Sequence, residues 1–233
     1  MAFRFKQFQI EDDQSAMKVG TDAVLLGAWT NANHARRILD IGCGSGLISI
    51  MLAQKTEALI TGIEIDKKSA DQASQNCNQS PWKQQLTIKS LSFQEFYKNN
   101  DSSFDLIVSN PPFFNNSLKS PKLNKRNSKH TVLLSFQELL LGTKKLLHPD
   151  GIANFIIPYS ELAFFKETAA LEGLYINHIL LIKPKPDKEI NRCMIKLKHS
   201  HAQYHQNILC IRNDDSSYTD EYKVFTSDYY LNF

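Results

Sequence analysis

Short apolar runs alternate with helical patterns over most of this chain, and that alternation restricts the possible folds more than any other feature. Runs typical of buried strands occupy residues 38–41, 58–65, 86–90, 104–109 and 152–157. Helical patterns cover residues 45–54, 66–76, 135–148 and 160–172. Parallel strands need crossover connections, which are usually helices. The alternation therefore predicts a mainly parallel sheet with helices on both faces.

Two further apolar runs follow, at residues 175–182 and 192–198, and only a segment rich in proline and lysine separates them. Because this link has no helical pattern, the two runs are predicted to pair as an antiparallel hairpin. The predicted fold is thus α/β, a Rossmann-like sheet of seven strands, mostly parallel with a C-terminal antiparallel hairpin. With 233 residues, 42% of them hydrophobic, the chain can fill one core, so a single domain over residues 1–233 is expected.

Composition sets wide bounds on function. The net charge of +3 permits a nucleic-acid partner without requiring one. The four cysteines form no Cys-x-x-Cys pair, so neither a metal site nor a disulfide framework is expected. The N-terminus lacks an apolar signal core, and no run approaches the ~18 apolar residues of a membrane span. A soluble, cytoplasmic protein without a metal is therefore expected.

A glycine motif follows the first predicted strand. Gly42, Gly44 and Gly46 form G-x-G-x-G before a helical pattern, where glycines let the backbone turn sharply and approach a ligand. The dinucleotide-binding version needs a small residue at the position that Leu47 occupies here, and no phosphate-binding lysine follows. A plain tight turn is the structural alternative for such glycines.

Two acidic residues complete the motif. Glu64 ends the second predicted strand, where a carboxylate can accept both hydroxyls of a ribose. Asp40 precedes the glycines and can balance an ammonium group. A ligand with a ribose, an amino-acid end and no phosphate matches this set, and S-adenosyl-L-methionine (SAM) is such a ligand.

The fourth predicted strand leads into Asn110, Pro111, Pro112 and Phe113. The amine of adenine is a weak nucleophile, and the oxygen of Asn110 and the carbonyl of Pro111 can each accept one of its N–H groups. The prolines stiffen the loop because they fix φ. Phe113 offers a face on which an unstacked base can lie. A Pro-Pro turn with buried phenylalanines is the alternative interpretation.

With these residues in place, the chain resembles the class I SAM-dependent methyltransferases that carry an Asn-Pro-Pro-[Tyr/Phe] motif. Within them it is similar to the bacterial enzymes that form N6-methyladenosine at position 37 of a valine tRNA. The segments that carry the resemblance are FRFKQFQI, MKVGTDAVLLGAW, LDIGCGSGLISIMLAQ, NQSPW, FDLIVSNPPFF and IRNDDSSYTDEY. The resemblance implies SAM as cofactor, the anticodon stem-loop of the tRNA as partner and no membrane association.

The resemblance also implies roles for individual residues. Lys18 and Thr21 would belong to an N-terminal extension, residues 1–35, that closes over the cofactor. Asp40 and the three glycines would hold the methionine part of SAM, and Glu64 its ribose. Ser92 and Phe93 would flank the adenine of SAM. Asn110 would contact both the cofactor and the target base. Pro111, Pro112 and Phe113 would contact the target base.

Lysines and arginines cluster in two places. One cluster lies in the polar loop 114–134 and the other in the link between the last two predicted strands, at Lys183, Lys185, Lys188 and Arg192. Phosphate contacts need such clusters, although a solvated loop is the simpler interpretation of any single lysine. A base in an anticodon loop is already poorly stacked, so extruding it costs little.

Other activities share the same pocket. Enzymes with the Asn-Pro-Pro-aromatic motif also methylate guanine N2 in ribosomal RNA, glutamine side chains in proteins and adenine N6 in DNA. A SAM-binding or RNA-binding module without activity is a further alternative, although Asn110 would then have no use. The basic loop disfavours protein substrates, and a DNA enzyme usually carries a separate recognition domain. We expect a tRNA adenine-N6 methyltransferase that acts as a monomer.

Overall fold

A computed structural model describes residues 2–111 and 134–232. Within these ranges the strands are Phe3–Arg4 (β1), Gln9–Ile10 (β2), Arg37–Ile41 (β3), Leu59–Glu64 (β4), Leu86–Ser90 (β5), Phe104–Ser109 (β6), Leu147–Pro158 (β7), Tyr175–Lys183 (β8), Arg192–Lys198 (β9) and His205–Cys210 (β10). The α-helices are Thr21–Trp29 (α1), Leu47–Ala53 (α2), Lys67–Gln79 (α3), Phe93–Lys98 (α4), Phe136–Leu146 (α5), Leu162–Leu171 (α6) and Asp220–Thr226 (α7).

The central sheet has the strand order β10-β8-β9-β7-β6-β3-β4-β5. β9 is antiparallel to both of its neighbours, and all the other pairs are parallel. The mostly parallel sheet and the antiparallel pairing of β8 with β9 are therefore confirmed. The strand count of seven is wrong, because β10 adds an eighth strand at one edge. Four of its six residues are exposed and polar residues open it, so it lacks the apolar run that marks a buried strand.

Helices cover both faces of the sheet, as predicted. On one face α4, α5 and α6 enclose a core that includes Phe104, Phe155 and Phe165. On the other face α1, α2 and α7 pack over Ile38, Leu106 and neighbouring side chains. A third cluster joins the two ends of the chain across α2. There the hydroxyl of Tyr229 donates to the carbonyl of Met51 at 3.1 Å.

α1 lies in the segment 1–35, which has no amphipathic pattern. It is apolar on several sides because Val24 packs into one core cluster while Leu25 and Leu26 pack into another. Its first turn has no side-chain cap. Its C-terminal end is instead held by Lys55, whose Nζ donates to the carbonyls of Gly27 and Ala28 (both 2.8 Å) and Thr30 (3.2 Å). That contact comes from a distant part of the chain and leaves no local signal.

Both α3 and α5 begin with a side-chain cap. Asp66 accepts a hydrogen bond from the backbone of Ser69 at the start of α3. Ser135 and Glu138 form the reciprocal capping box of α5. β3, β4 and β6 are parallel, so their last residues, Ile41, Glu64 and Ser109, lie at the same edge of the sheet. This edge carries the candidate site.

No helix in the described ranges is both long and apolar enough to cross a membrane. The side chains in those ranges also include no group of three or more His, Cys, Asp or Glu placed to hold a metal ion.

Candidate active site

A cavity of about 240 Å³ opens at the carboxyl ends of β3, β4 and β6. Its walls come from the N-terminal segment, the glycine loop, the end of β4, the start of α4 and the residue after β6. Residues from all five of these parts face the cavity, among them Ser15, Gly42, Gly44, Glu64, Phe93, Gln94 and Asn110.

The glycine loop is locked in a conformation that other residues rarely adopt. The φ angles of Gly42, Gly44 and Gly46 are 68°, 55° and 82°. The backbone N–H groups of Gly42 and Cys43 both donate to the carbonyl of Ile63, at 2.9 and 3.0 Å, which ties the loop to β4. Beyond Gly42 itself and its two neighbours in the chain, no described atom lies within 4 Å of a Cβ added at Gly42. The loop thus leaves the space of a side chain open beside the cavity, as a ligand cradle requires.

Glu64 is fixed at the floor of the cavity. Its Oε2 accepts from the backbone N–H of Gly44 at 3.0 Å, and its Oε1 accepts from that of Asp66 at 2.9 Å. A carboxylate has about four acceptor positions. Each oxygen therefore keeps a position for a hydroxyl of a ligand.

Asp40 lies behind the glycine loop and does not line the cavity. It is fully buried, and its Oδ2 accepts from the hydroxyl of Ser49 at 2.7 Å, while its Oδ1 has no partner among the described residues. Burial raises the pKa of this carboxyl to about 7. A cationic group bound in front of the loop would favour the ionised form.

Asn110 follows β6 and is one of the walls of the cavity. The hydroxyl of Ser109 donates to the carbonyl of Ile41 at 2.8 Å, so the end of β6 is held against β3. The Oδ1 of Asn110 is buried and has no hydrogen-bond partner among the described residues. Pro111 is buried. Pro112, Phe113 and all of the basic loop except Leu134 lie outside the described residues.

Of the two residues predicted to flank the adenine of SAM, one lines the cavity and the other does not. Phe93 lines the cavity, but Ser92 does not. The hydroxyl of Ser92 caps α4 by accepting from the backbone of Glu95 at 3.1 Å. Gln94 lines the cavity instead. This amide was not predicted as a site residue, because no helix was expected at α4.

The N-terminal segment forms one wall of the cavity through residues 15–17. Polar side chains on one face of α3 hold this segment by its backbone. Ser69 accepts from Ala16 N–H at 3.1 Å, Gln72 from Gln14 N–H at 3.0 Å, and Asn76 from Glu11 N–H at 3.0 Å. Their spacing of three and four residues puts all three on one side of the helix.

Lys18 and Thr21, also predicted to bind the cofactor, do not line this cavity. Lys18 Nζ donates to the backbone carbonyl of Asp12, so it braces the segment rather than facing the cavity. Thr21 begins α1 and faces two other recesses. Arg192, placed in the second basic cluster, forms an ion pair with Asp22 at 2.8 Å.

Replacing Asn76 with alanine is expected to lower the free energy of unfolding by about 2–3 kcal/mol, since buried backbone groups would lose their partners. Asn76 also donates to the carbonyls of Glu11 and Ser45, both at 2.8 Å. Urea unfolding measures the loss. Asn78→Ala is the matched control, because Asn78 is exposed on the same helix and should change stability by no more than ~0.5 kcal/mol. Equal losses in both variants would contradict the role given to Asn76.

Comparisons with known proteins agree with this geometry. Residues 15–158 match the methyltransferase small domain family. A tRNA1(Val) (adenine(37)-N6)-methyltransferase from Bacteroides fragilis (strain YCH46) is 41% identical, over 98% of this chain and 97% of that protein. One from Pseudoalteromonas translucida, carrying the same name, is 38% identical over 98% of both chains.

Solved structures share the fold. The crystal structure of a predicted O-methyltransferase from Agrobacterium tumefaciens superposes with a TM-score of 0.70 and 18% identity, covering 89% of this chain and 96% of that one. A ribosomal protein L11 methylase from Lactobacillus delbrueckii subsp. bulgaricus gives a TM-score of 0.54 at 18% identity, over 77% and 78% of the two chains. At these identities the likeness concerns the fold alone.

Proposed function

This chain belongs to the methyltransferase small domain family and, within it, to the tRNA1(Val) (adenine(37)-N6)-methyltransferases, and we propose that it methylates N6 of adenine 37 in a valine tRNA with SAM as methyl donor. The near full-length similarity to enzymes of that name supports the substrate. The observation that carries the chemistry is the Oδ1 of Asn110 at the cavity wall, which is buried and has no hydrogen-bond partner in the part of the chain that the structure describes.

The residues of the cavity fit SAM. The open side of Gly42 leaves room for the methionine part, and the two oxygens of Glu64 can accept the ribose hydroxyls. Phe93 offers an apolar surface to the adenine, and Gln94 offers an amide. Behind the loop, the Oδ1 of Asp40, which no described residue contacts by a hydrogen bond, can balance the ammonium group.

The reaction needs positioning more than acid–base catalysis. When bound, SAM would supply an electrophilic methyl group on a sulfonium, and its sulfur would take up the electron pair of the C–S bond as the leaving group. Asn110 Oδ1 and the Pro111 carbonyl each accept one N–H of the target amine, which directs the nitrogen lone pair at the methyl carbon. The same acceptors stabilise positive charge that develops on the nitrogen. The surplus proton then leaves to water, because the methylated amine is acidic.

The alternatives are less well supported. Guanine N2 of ribosomal RNA and the glutamine side chain also present an –NH2 group to an Asn-Pro-Pro-aromatic pocket. Neither matches the names of the Bacteroides and Pseudoalteromonas relatives, which agree on adenine 37 of tRNA1(Val). We propose that the enzyme acts on its tRNA in the cytoplasm, as a monomer.

Nucleoside mass spectrometry tests this function. Valine tRNA is purified from cells with and without the gene, and its anticodon loop is digested separately. We expect N6-methyladenosine at position 37 to disappear in the deletion strain and to return with the intact gene but not with an Asn110→Ala copy. Unchanged tRNA would overturn the substrate and redirect the search to ribosomal RNA and then to protein glutamines.

A further inference from the structure

A second recess, of about 320 Å³, lies outside the cofactor cavity. Three parts of the chain meet there: the start of α1, the connection between β8 and β9, and the turn that follows β10. The lining side chains that carry charge are Lys185, Lys188 and Arg212, beside Thr21 and Tyr218. Among the described residues no acidic side chain lines it. Three cations thus converge on one concave surface.

The turn after β10 is anchored to the β8–β9 connection by its backbone. Ile211 N–H donates to the carbonyl of Lys183 at 2.9 Å, and Arg212 N–H donates to that of Pro184 at 3.1 Å. Lys185 Nζ donates to the hydroxyl of Ser216 at 2.6 Å. Lys185 and Arg212 are therefore both held against the turn after β10, and both line the recess.

Arg212 is oriented by an aromatic stack. Its guanidinium lies 4.1 Å from the ring centroid of Tyr218, and Tyr218 stacks on the buried ring of Tyr222 at 5.0 Å. Two guanidinium nitrogens donate to the carbonyl of Ser216 (2.6 Å) and the hydroxyl of Tyr218 (3.0 Å). An arginine fixed in this way presents a planar set of donors, which suits a phosphate better than a flexible surface lysine does.

Acidic residues near the recess are held by partners and do not line the recess themselves. Asp187 pairs at 3.2 Å with Lys188, one of the three recess cations, and both side chains are largely exposed. Asp215 accepts from the backbone and hydroxyl of Ser217, at 2.9 and 2.6 Å, inside the turn. Asp22 forms its ion pair with Arg192. The charge that faces the recess itself is positive.

The recess lies on the same edge of the sheet as Asn110. β8 runs in the same direction as β6, since β9 is antiparallel to both β7 and β8 and β7 is parallel to β6. The ends of β6 and β8 are three strand positions apart. Through the paired residues of β7 and β9, Ser109 is in register with Ile179, four residues before the end of β8. At a strand spacing of ~4.8 Å and a rise of ~3.3 Å per residue, the two ends are therefore roughly 20 Å apart. An RNA strand that places one base at Asn110 can reach the recess with a backbone phosphate a few nucleotides away.

We propose that this recess binds the phosphate backbone of the substrate RNA beside the flipped adenine, with Lys185, Lys188 and Arg212 as the contacts. This inference rests on the proposed function and adds a docking site to it. The contacts set the position of the anticodon loop and take no part in the methyl transfer. They act through charge, so their contribution falls as salt rises.

The test is RNA binding by a variant that carries both Lys185→Gln and Lys188→Gln. The Kd for the valine tRNA anticodon stem-loop is measured at several salt concentrations, and SAM binding is measured separately. We expect about tenfold weaker RNA binding at low salt, and a decrease of about 1 to 1.5 in the slope of log K against log salt. SAM affinity, and kcat at saturating RNA, should stay within about twofold of the wild type, since these contacts position the RNA backbone only. Arg212→Gln should weaken RNA binding in the same way.

The matched control carries Lys144→Gln and Lys166→Gln, which remove the same charge from exposed positions on α5 and α6. Wild-type RNA affinity and salt slope in the recess variants would overturn the docking site, and so would equal weakening by the control pair. A wild-type protein that binds SAM but neither binds nor methylates valine tRNA would overturn the proposed function itself. The two failures are distinguishable. The docking site is tested by comparing variants with a wild-type protein that binds and methylates valine tRNA, whereas the proposed function fails in the wild-type protein itself.

Discussion

Replacing Asn110 with alanine is expected to lower the rate of methyl transfer by about two to three orders of magnitude, the usual cost of removing one preorganised polar group that stabilises developing charge. The side chain lies at the cavity wall with its Oδ1 buried and unpartnered among the described residues. Alanine leaves the target amine without this acceptor, so its nitrogen is neither held in place nor polarised. Single-turnover methylation of the purified stem-loop at saturating SAM measures the chemical step directly.

Two variants separate chemistry from binding. Asn110→Asp keeps an acceptor oxygen at the same position and should retain more activity than Asn110→Ala. Asn99→Ala, at the exposed end of α4, should behave as the wild type. We expect SAM affinity to change by less than about threefold in Asn110→Ala, or under ~0.7 kcal/mol. A loss of SAM binding that parallels the loss of rate would show that Asn110 supports the cofactor site and does not position the target.

Much of the fold could be predicted because its signals are local. The strands Leu86–Ser90, Phe104–Ser109 and Arg192–Lys198 match the apolar runs of the sequence residue for residue. Phe104–Ser109 lies inside a mainly parallel sheet that helices cover on both faces, and such strands require near-continuous apolar runs. Leu86–Ser90 is an edge strand, but it begins with an alternation of apolar and polar residues that is typical of a half-buried strand. β10 was not predictable in this way. It lies at a sheet edge and, among the described strands, pairs with β8 alone, so its outward residues can be polar.

In the candidate site too, features with a local sequence signal were predictable, and features that depend on contacts with distant parts of the chain were not. Gly42 and Glu64 were predictable because a positive φ and a strand-end carboxylate each demand a particular residue type. The amides of Gln72 and Asn76 were not, since their partners are backbone groups about 60 residues away in the N-terminal segment. Ser92 was assigned to the cofactor from the family resemblance, which carries no information on the local use of its hydroxyl as the N-cap of α4 or on the place of Gln94 at the cavity.

Replacing Gly42 with alanine should weaken SAM binding by about 10- to 100-fold, which corresponds to the ~1–3 kcal/mol of inserting a methyl group into an occupied site. Without ligand the added Cβ meets no described atom within 4 Å. The folded protein should therefore lose only the ~1–2 kcal/mol of placing an L-residue in the left-handed region. Calorimetric titration with SAM and urea unfolding of the ligand-free protein measure the two quantities independently.

Gly173→Ala is the matched control, because it imposes the same backbone strain away from the cavity. Gly173 follows α6 with a φ of 71°, and its added Cβ would meet only the far end of the Lys144 side chain, with Nζ at 3.5 Å. Both variants should lose similar stability, and only Gly42→Ala should lose SAM affinity. If Gly173→Ala weakened SAM binding as much, the effect would follow from general destabilisation. If neither variant did, the space beside Gly42 would not be the place where the methionine part of SAM lies.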